Sequence, residues 1–156
     1  MRKILLYIFM FLFFTAPVFA DENQEALDFF NKYIGAANSY SSEVTSMYAP
    51  NAKIIRQVIK PNGDVVDVQT DTNTYIRQLR LGQKTAKFRK YKNTYTNIVS
   101  DKVDNGYKIS ALRQPSGEKY RLKSYMVVQK QPDGNWLIVE EMMQTKVQAF
   151  LKYAKN

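Results

Sequence analysis

Apolar residues recur at helical spacing near the start of the chain and at alternating positions further along. The stretch 23–37, NQEALDFFNKYIGAA, predicts a first helix. Its apolar stripe consists of Leu27, Phe30 and Ile34. The stretch 41–48, SSEVTSMY, predicts a second, shorter helix. A third helix is predicted over 73–81, NTYIRQLRL, with Asp71 or Thr72 as its cap and Gly82 at its end.

Alternating apolar residues predict six strands. The stretches AKIIRQVIK and DVVDVQT flank the turn at 61–63, Pro-Asn-Gly, and predict a hairpin. From Thr85 to Val147 the chain is typical of a meander of four long strands. Turn signals divide this meander at 104–106, 115–117 and 132–134. We therefore expect an α+β fold: three N-terminal helices packed in a curved, mainly antiparallel six-stranded sheet.

The register of the meander predicts which side chains point into the domain. A three-residue loop at 104–106 is favoured because it turns Val99 and Val103 inward, whereas a two-residue loop at 105–106 turns Lys102 and Ser100 inward. With that loop, one face of the sheet holds six polar or aromatic candidates for ligand contact. They are Tyr91, Tyr95, Tyr107, Arg113, Ser124 and Glu141.

Glu141 is the candidate with the strongest physical requirement. An inward carboxylate needs hydrogen bonds from Tyr or Ser hydroxyls, pairing with Arg113, protonation, or a nearby water-filled opening. Three roles stay open for Glu141: a satisfied structural residue, a group that orients a ligand, and a general base. No residue is assigned a catalytic role beyond this candidate.

The outer face of the sheet is predicted to be unusually apolar. If Gln131 pairs with Trp136, five side chains face outward: Trp136, Ile138, Met142, Tyr125 and Val127. We expect this convex face to be an interface, either of a homodimer or with another protein, or else to be covered by the C-terminal segment. That segment, KVQAFLKYAKN, predicts a helix that docks on its own domain or contacts a membrane surface.

Composition limits the chemistry that the chain can perform. The protein has 156 residues, no His and no Cys, which excludes His-dependent and Cys-dependent nucleophiles and thiolate or imidazole metal sites. The aspartates at 64, 67 and 71 lack the bent loop of a calcium site, so we expect neither a metal nor a cofactor.

The first twenty residues predict export. Arg2 and Lys3 precede an apolar run from Ile4 to Phe14, and Ala20 suits cleavage by a signal peptidase. Residues 21–156 would then form a single domain, and a retained N-terminal anchor is the alternative. Without Arg2 and Lys3 the net charge falls from +9 to +7, which favours anionic partners.

The order of elements resembles the nuclear-transport-factor-2-like superfamily, also described as cystatin-like or SnoaL-like cones. The residues that carry the resemblance are AKIIRQVIKPNGDVVDV, TYIRQLR and the final strand opened by PDGNWLIVEE. The resemblance covers residues 23–147. It implies a sheet wrapped around helices with a pocket at the open end, and often a dimer, but no single function.

These observations lead to three hypotheses of function. The first is an exported, non-enzymatic protein of the cell envelope that holds a small amphipathic or anionic ligand in the cone or docks to an envelope complex. The alternative is a small isomerase or dehydratase with Glu141 as base and a pocket tyrosine as acid. Nucleic-acid binding is not expected, since it conflicts with export and the tyrosines it would need point inward.

Overall fold

The computed structural model describes residues 21–154. The predicted signal segment, residues 1–20 with cleavage after Ala20, lies outside the described residues. Within residues 21–154, no helix is both long and apolar enough to cross a membrane.

The described residues form two α-helices, two short 3-10 helices and six strands. In chain order these are α1 (Glu22–Asn38), a 3-10 helix (Ser42–Met47), β1 (Tyr48–Ile59), β2 (Val65–Thr70), α2 (Thr72–Phe88), β3 (Asn93–Val103), β4 (Gly106–Pro115), β5 (Leu122–Lys130), β6 (Trp136–Thr145) and a second 3-10 helix (Gln148–Tyr153). The strands form one sheet in the order β2-β1-β6-β5-β4-β3. Only β1 and β6 run parallel, so the expected α+β class and mainly antiparallel six-stranded sheet are confirmed.

The prediction of three N-terminal helices was wrong in number and position. Among residues 21–47 only α1 is an α-helix, because the second predicted helix is a single 3-10 segment capped by the Ser41 side chain. The third begins after the Asp71 cap, as expected, but continues through Gly82 to Phe88. Consequently residues 85–88 are helical, and β3 begins at Asn93.

Strand β3 has a different register from the predicted one. Val103 pairs with Gly106 across a two-residue turn, which places Lys102 opposite Tyr107 and leaves Val99 53% exposed. A bulge between Thr96 and Val99, where Asn97 has a φ of 53°, then reverses the alternation. As a result Tyr95 still lies opposite Arg113, whereas Val99 and Val103 do not form the predicted inner row.

Strand β6 also contains a bulge that the alternation did not predict. Trp136 pairs with Lys130 and Ile138 with Val128, whereas Glu141 pairs with Met126, so one extra residue is inserted near Val139. The side chain of Ile138 is therefore 0% exposed in the core. The outward orientation predicted for Trp136 and Ile138 was wrong.

The hydrophobic core lies between α1 and the inner face of the sheet. The Asp21 side chain caps α1, and a row of helical side chains then packs inward. This row consists of Ala26, Phe30, Tyr33 and Ala36. It meets Ile109, Met126 and Val128 on the central strands. At Tyr33 the apolar core borders on polar groups, because the Tyr33 hydroxyl contacts the carboxylate of Glu141.

Candidate functional site

A fully buried carboxylate occupies the middle of the sheet's inner face. Glu141 on β6 is 0% exposed and lies beside Ile54 on β1. Its Oε1 accepts hydrogen bonds from Arg56 Nη1 at 2.8 Å and from Tyr75 Oη at 3.2 Å. Its Oε2 accepts from Tyr48 Oη at 2.5 Å and from Tyr33 Oη at 3.3 Å. Four donors therefore satisfy this carboxylate, and Arg56 balances its charge.

Each donor reaches Glu141 because of its position on its own element. Arg56 lies between Ile54 and Val58 on β1, and the period of two places all three side chains on the inner face. Tyr33 comes from the buried row of α1, and Tyr75 from the first turn of α2. Tyr48 opens β1. The carboxylate thus connects four elements of the domain.

Burial and the neighbouring carboxylate keep the tyrosines of this cluster protonated. Burial, followed by the charge of Glu141, raises the pKa of Tyr33 and of Tyr48 well above the ordinary value. Burial likewise raises the pKa of Tyr75 to about 12, although Arg56 opposes that shift. At neutral pH the three hydroxyls are consequently donors to Glu141.

A cavity of about 510 Å³ lies next to this cluster, between the end of α1, α2 and the second 3-10 helix. Apolar walls come from Val44, Leu79, Met143 and Phe150. Tyr33, Tyr75 and Arg56 belong to the wall, whereas Glu141 lies behind them. Among the described residues that line the cavity there are two arginines and no acid. The volume is within the range of about 300–1,000 Å³ that is typical of small-molecule sites.

Arg113 is the charged group of the cavity that lacks a carboxylate partner. Its side chain on β4 is 6% exposed. Nη1 donates to Asn93 Oδ1 at 2.8 Å, and Nη2 donates to the Gln144 carbonyl at 2.7 Å. Within residues 21–154 it forms no salt bridge, and its buried Nε has no hydrogen-bond acceptor. A buried cation without a carboxylate partner favours an anionic group in the cavity beside it.

Solved structures with the same architecture support the fold. An NTF2-like protein of unknown function from Pseudomonas putida KT2440 superposes with a TM-score of 0.60 at 8% identity, over 78% of this chain and 84% of that chain. An NTF2-like protein from Cytophaga hutchinsonii ATCC 33406 has a TM-score of 0.57 at 15% identity, over 80% and 98%. An NTF2-like protein with a cystatin-like fold from Novosphingobium aromaticivorans has a TM-score of 0.56 at 9% identity, over 83% and 89%.

This protein has the NTF2-like fold. No protein-family model matches the chain, and no curated protein matches it in sequence. At such low identities the NTF2-like fold is what the likeness shows, and a fold alone does not determine a function.

The six residues predicted to line the interior of the NTF2-like cone divide into three groups. Tyr91 and Arg113 line the cavity, with Arg113 Nη1 3.4 Å from Tyr91 Oη. Tyr95 lies deeper, with its ring against Phe30 at 5.5 Å. Burial raises the pKa of Tyr95. The hydroxyl of Ser124 is used within the sheet, since its Oγ donates to the carbonyl of Ala111.

Tyr107 lies away from the cavity, where the other end of the sheet meets the start of α1. Its ring is 6.1 Å from the ring of Trp136 and 4.5 Å from Lys102 Nζ. Trp136 Nε1 in turn donates to Glu25 on α1 at 3.2 Å. The structure thus brings Tyr91, Arg113 and, behind the wall, Glu141 to one region, and separates Tyr107 from them.

Three of the five predicted interface residues lie on the outer face of the sheet: Met142, Tyr125 and Val127. Met142 pairs with Tyr125 and is only 9% exposed. Tyr125 Oη donates to Glu140 at 2.6 Å, and Lys108 Nζ lies 4.1 Å from its ring. The predicted homodimer surface is therefore smaller and more polar than the sequence indicated, and the dimer stays a prediction.

Sequence reasoning missed the residues that compensate Glu141. Arg56, Tyr33, Tyr48 and Tyr75 were not among the candidates, and Arg113 was the only arginine considered as a partner. A usable signal was present in IIRQVIK, because an arginine alternating with Ile54 and Val58 is an inward cation that requires an acid. The three tyrosines carry no such local signal, since they come from three separate elements.

Proposed function

We propose that the protein binds a small amphipathic anion in the cavity without transforming it. The apolar part of the ligand contacts Val44, Leu79 and Phe150, and its acidic group lies against Arg113. The observation that carries the proposal is the buried guanidinium of Arg113, which lines a cavity with no acid among its described lining residues and forms no salt bridge within residues 21–154. A planar guanidinium is well suited to a carboxylate or a phosphate.

The position of Glu141 disfavours the enzymatic alternative. A general base has to come within hydrogen-bond reach of the proton that it removes. Glu141 is 0% exposed, and Tyr33, Tyr75 and Arg56 stand between it and the cavity. Its oxygens already accept four hydrogen bonds, one of them from a cation. These contacts support a structural role for Glu141.

Binding of decanoate, compared with its uncharged methyl ester, tests the proposal. We expect the protein to prefer decanoate, because only the carboxylate complements Arg113. In Arg113→Gln that preference should fall by on the order of tenfold or more, as loss of a charge-assisted hydrogen bond predicts. Arg113→Lys should keep the preference for the anion with weaker binding. Isothermal titration calorimetry measures both ligands with each variant.

The ratio of the two affinities separates ligand recognition from folding. Arg113 also bonds Asn93 and Gln144, so a variant that lowers stability lowers the affinity for both ligands together. Arg121→Gln, which removes an exposed arginine, is the matched control and should leave the ratio unchanged. An equal affinity of the native protein for decanoate and its ester would refute the proposal.

We further propose that the protein acts after export, as a carrier or accessory protein of the cell envelope. The support for this step is the apolar run Ile4–Phe14 with its preceding Arg2 and Lys3.

A further inference from the structure

The second half of α2 has an outer face that no other part of residues 21–154 covers. The buried residues of α2 are Thr72 and Tyr75, both near its start, so its last three turns contain no fully buried side chain. Leu81 is 73% exposed and Phe88 is 88% exposed. Large apolar side chains left this open on a helix indicate a contact surface.

Helical geometry places these two residues on one stripe together with basic side chains. Residues seven apart, such as Leu81 and Phe88, lie almost directly above each other. We call the surface formed by six exposed residues the α2 outer face. They are Arg77, Arg80, Leu81, Lys84, Lys87 and Phe88. The opposite side of α2, with Leu79, Gly82 and Ala86, lines the cavity.

The charge around the α2 outer face has one sign. From Thr72 to Ser100 the sequence contains no Asp or Glu. The same stretch contains seven basic residues: Arg77, Arg80, Lys84, Lys87, Arg89, Lys90 and Lys92. All seven are exposed, and within residues 21–154 none of them forms a salt bridge. A surface with this charge complements an anionic partner.

We propose that the α2 outer face docks on a bilayer that contains anionic phospholipid. Leu81 and Phe88 enter the boundary between headgroups and acyl chains, while the flanking lysines and arginines contact lipid phosphates. A basic helix face that also carries an apolar stripe is the pattern of helices that lie in the membrane interface. A polyanion such as nucleic acid would use the charges and leave both apolar side chains in water.

One side of α2 lines the cavity, and its outer face would lie on the lipid. Docking in this orientation therefore places α2 between the cavity and the lipid surface. This interaction does not depend on which ligand the cavity holds. If decanoate did not bind, the docking proposal would therefore still stand. If vesicles did not bind, the ligand-binding proposal would still stand.

Sedimentation with lipid vesicles tests the proposal on the protein without residues 1–20, whose apolar run would itself bind lipid. The six described strands and the described core residues all lie within residues 21–154, so we expect the shortened protein to keep the fold. We expect binding to vesicles of phosphatidylglycerol mixed with phosphatidylcholine and little binding to phosphatidylcholine alone. High salt should weaken the binding because it screens exposed charges.

Paired variants distinguish the apolar and the basic contributions. Leu81→Gln/Phe88→Gln should weaken vesicle binding by on the order of tenfold or more, since each exposed side chain loses its apolar contact. Val65→Gln/Val99→Gln alters two other exposed apolar residues and should leave the binding unchanged. Arg80→Gln/Lys84→Gln should also weaken it, whereas the control Lys53→Gln/Lys123→Gln on the outer face of the sheet should not.

A fluorescence readout covers the case in which a double variant folds poorly. Phe88→Trp in a Trp136→Phe background should show a blue shift on addition of the anionic vesicles. The proposal is overturned if this shift is absent, or if folded Leu81→Gln/Phe88→Gln binds as well as the native chain, which would indicate a surface for polyanions. A native dimer that this double variant dissociates would instead assign the face to a second copy of the chain and overturn the proposal.

Discussion

At the scale of single residues, the main electrostatic feature of the interior is the ion pair between Arg56 and Glu141. Both groups are taken out of water, and the Arg56 side chain is only 12% exposed. Breaking such a pair on one side leaves an uncompensated charge, which costs more than the intact pair contributes. Loss of either partner is therefore expected to destabilise the packing of β1 beside β6.

We predict that Glu141→Gln lowers the free energy of unfolding by about 3 kcal/mol or more, because Arg56 is left unpaired. Urea denaturation measures this change. Adding Arg56→Met to Glu141→Gln should restore part of the loss, since the unpaired charge is then removed. Glu140→Gln is the neighbouring control on the outer face, and it should cost less than about 1 kcal/mol. If Glu141→Gln and Glu140→Gln lowered the free energy of unfolding equally, the buried ion pair between Arg56 and Glu141 would be contradicted.

At the scale of elements, both α-helices end in the same way next to the cavity. After α2, Lys90 has a φ of 51°, its N–H donates to the Lys87 carbonyl and the Tyr91 N–H donates to the Ala86 carbonyl. After α1, Tyr40 has a φ of 61° with the equivalent pair of bonds. This is the Schellman arrangement, which normally uses glycine at the left-handed position. It turns the chain sharply and brings Tyr40 and Tyr91 to the cavity wall.

Replacing the lysine that adopts this conformation should stabilise the domain. Lys90→Gly removes the left-handed strain of a side chain and is expected to raise the free energy of unfolding by about 1 kcal/mol. Lys87→Gly, the same substitution inside the helix, should lower it by about 1 kcal/mol. Thermal unfolding followed by circular dichroism compares the two. A loss of stability in Lys90→Gly would show that the helix does not end at this residue.

The C-terminal end of α2 lies further along the chain than the sequence predicted. Gly82 predicted a stop, but a glycine inside a helix costs only about 1 kcal/mol relative to alanine, so α2 continues through it. A side chain at this position would meet nothing within 4 Å, so packing does not require the glycine. The hydrogen bonds from the Lys90 and Tyr91 N–H groups that close the end of α2 instead accompany the return of the chain to the cavity wall and β3. A glycine is a local signal, whereas the return of the chain is a property of the packed domain.

At the scale of the whole molecule, the domain separates two kinds of surface. One end of the sheet is closed by α1, where Glu25 accepts hydrogen bonds from Lys130 and Trp136. The other end contains the cavity, walled by a helix whose outer face is basic and apolar. An anionic ligand and an anionic membrane surface would both be attracted to this second end.

Export can be tested on the same molecule. If residues 1–20 act as a signal peptide, the protein recovered from outside the cytoplasm should begin at Asp21. Mass spectrometry of the intact protein measures this directly. A chain that retains Met1 to Ala20 in the membrane fraction would instead indicate an N-terminal anchor.

The amino-acid pattern was enough to predict the α+β class, the number of strands and the inward parity of Glu141 and Arg113. These features depend on local periodicity, which persists wherever the strand alternation is unbroken. Tertiary structure alone decided where the alternation breaks. The bulges at Asn97 and Val139 reverse the faces of Val99 and Ile138, because pairing with β4 and β5 determines where an extra residue fits. Tertiary packing also places Arg56, and not Arg113, next to Glu141. As a result Arg113 lines the cavity without a carboxylate partner among the described residues.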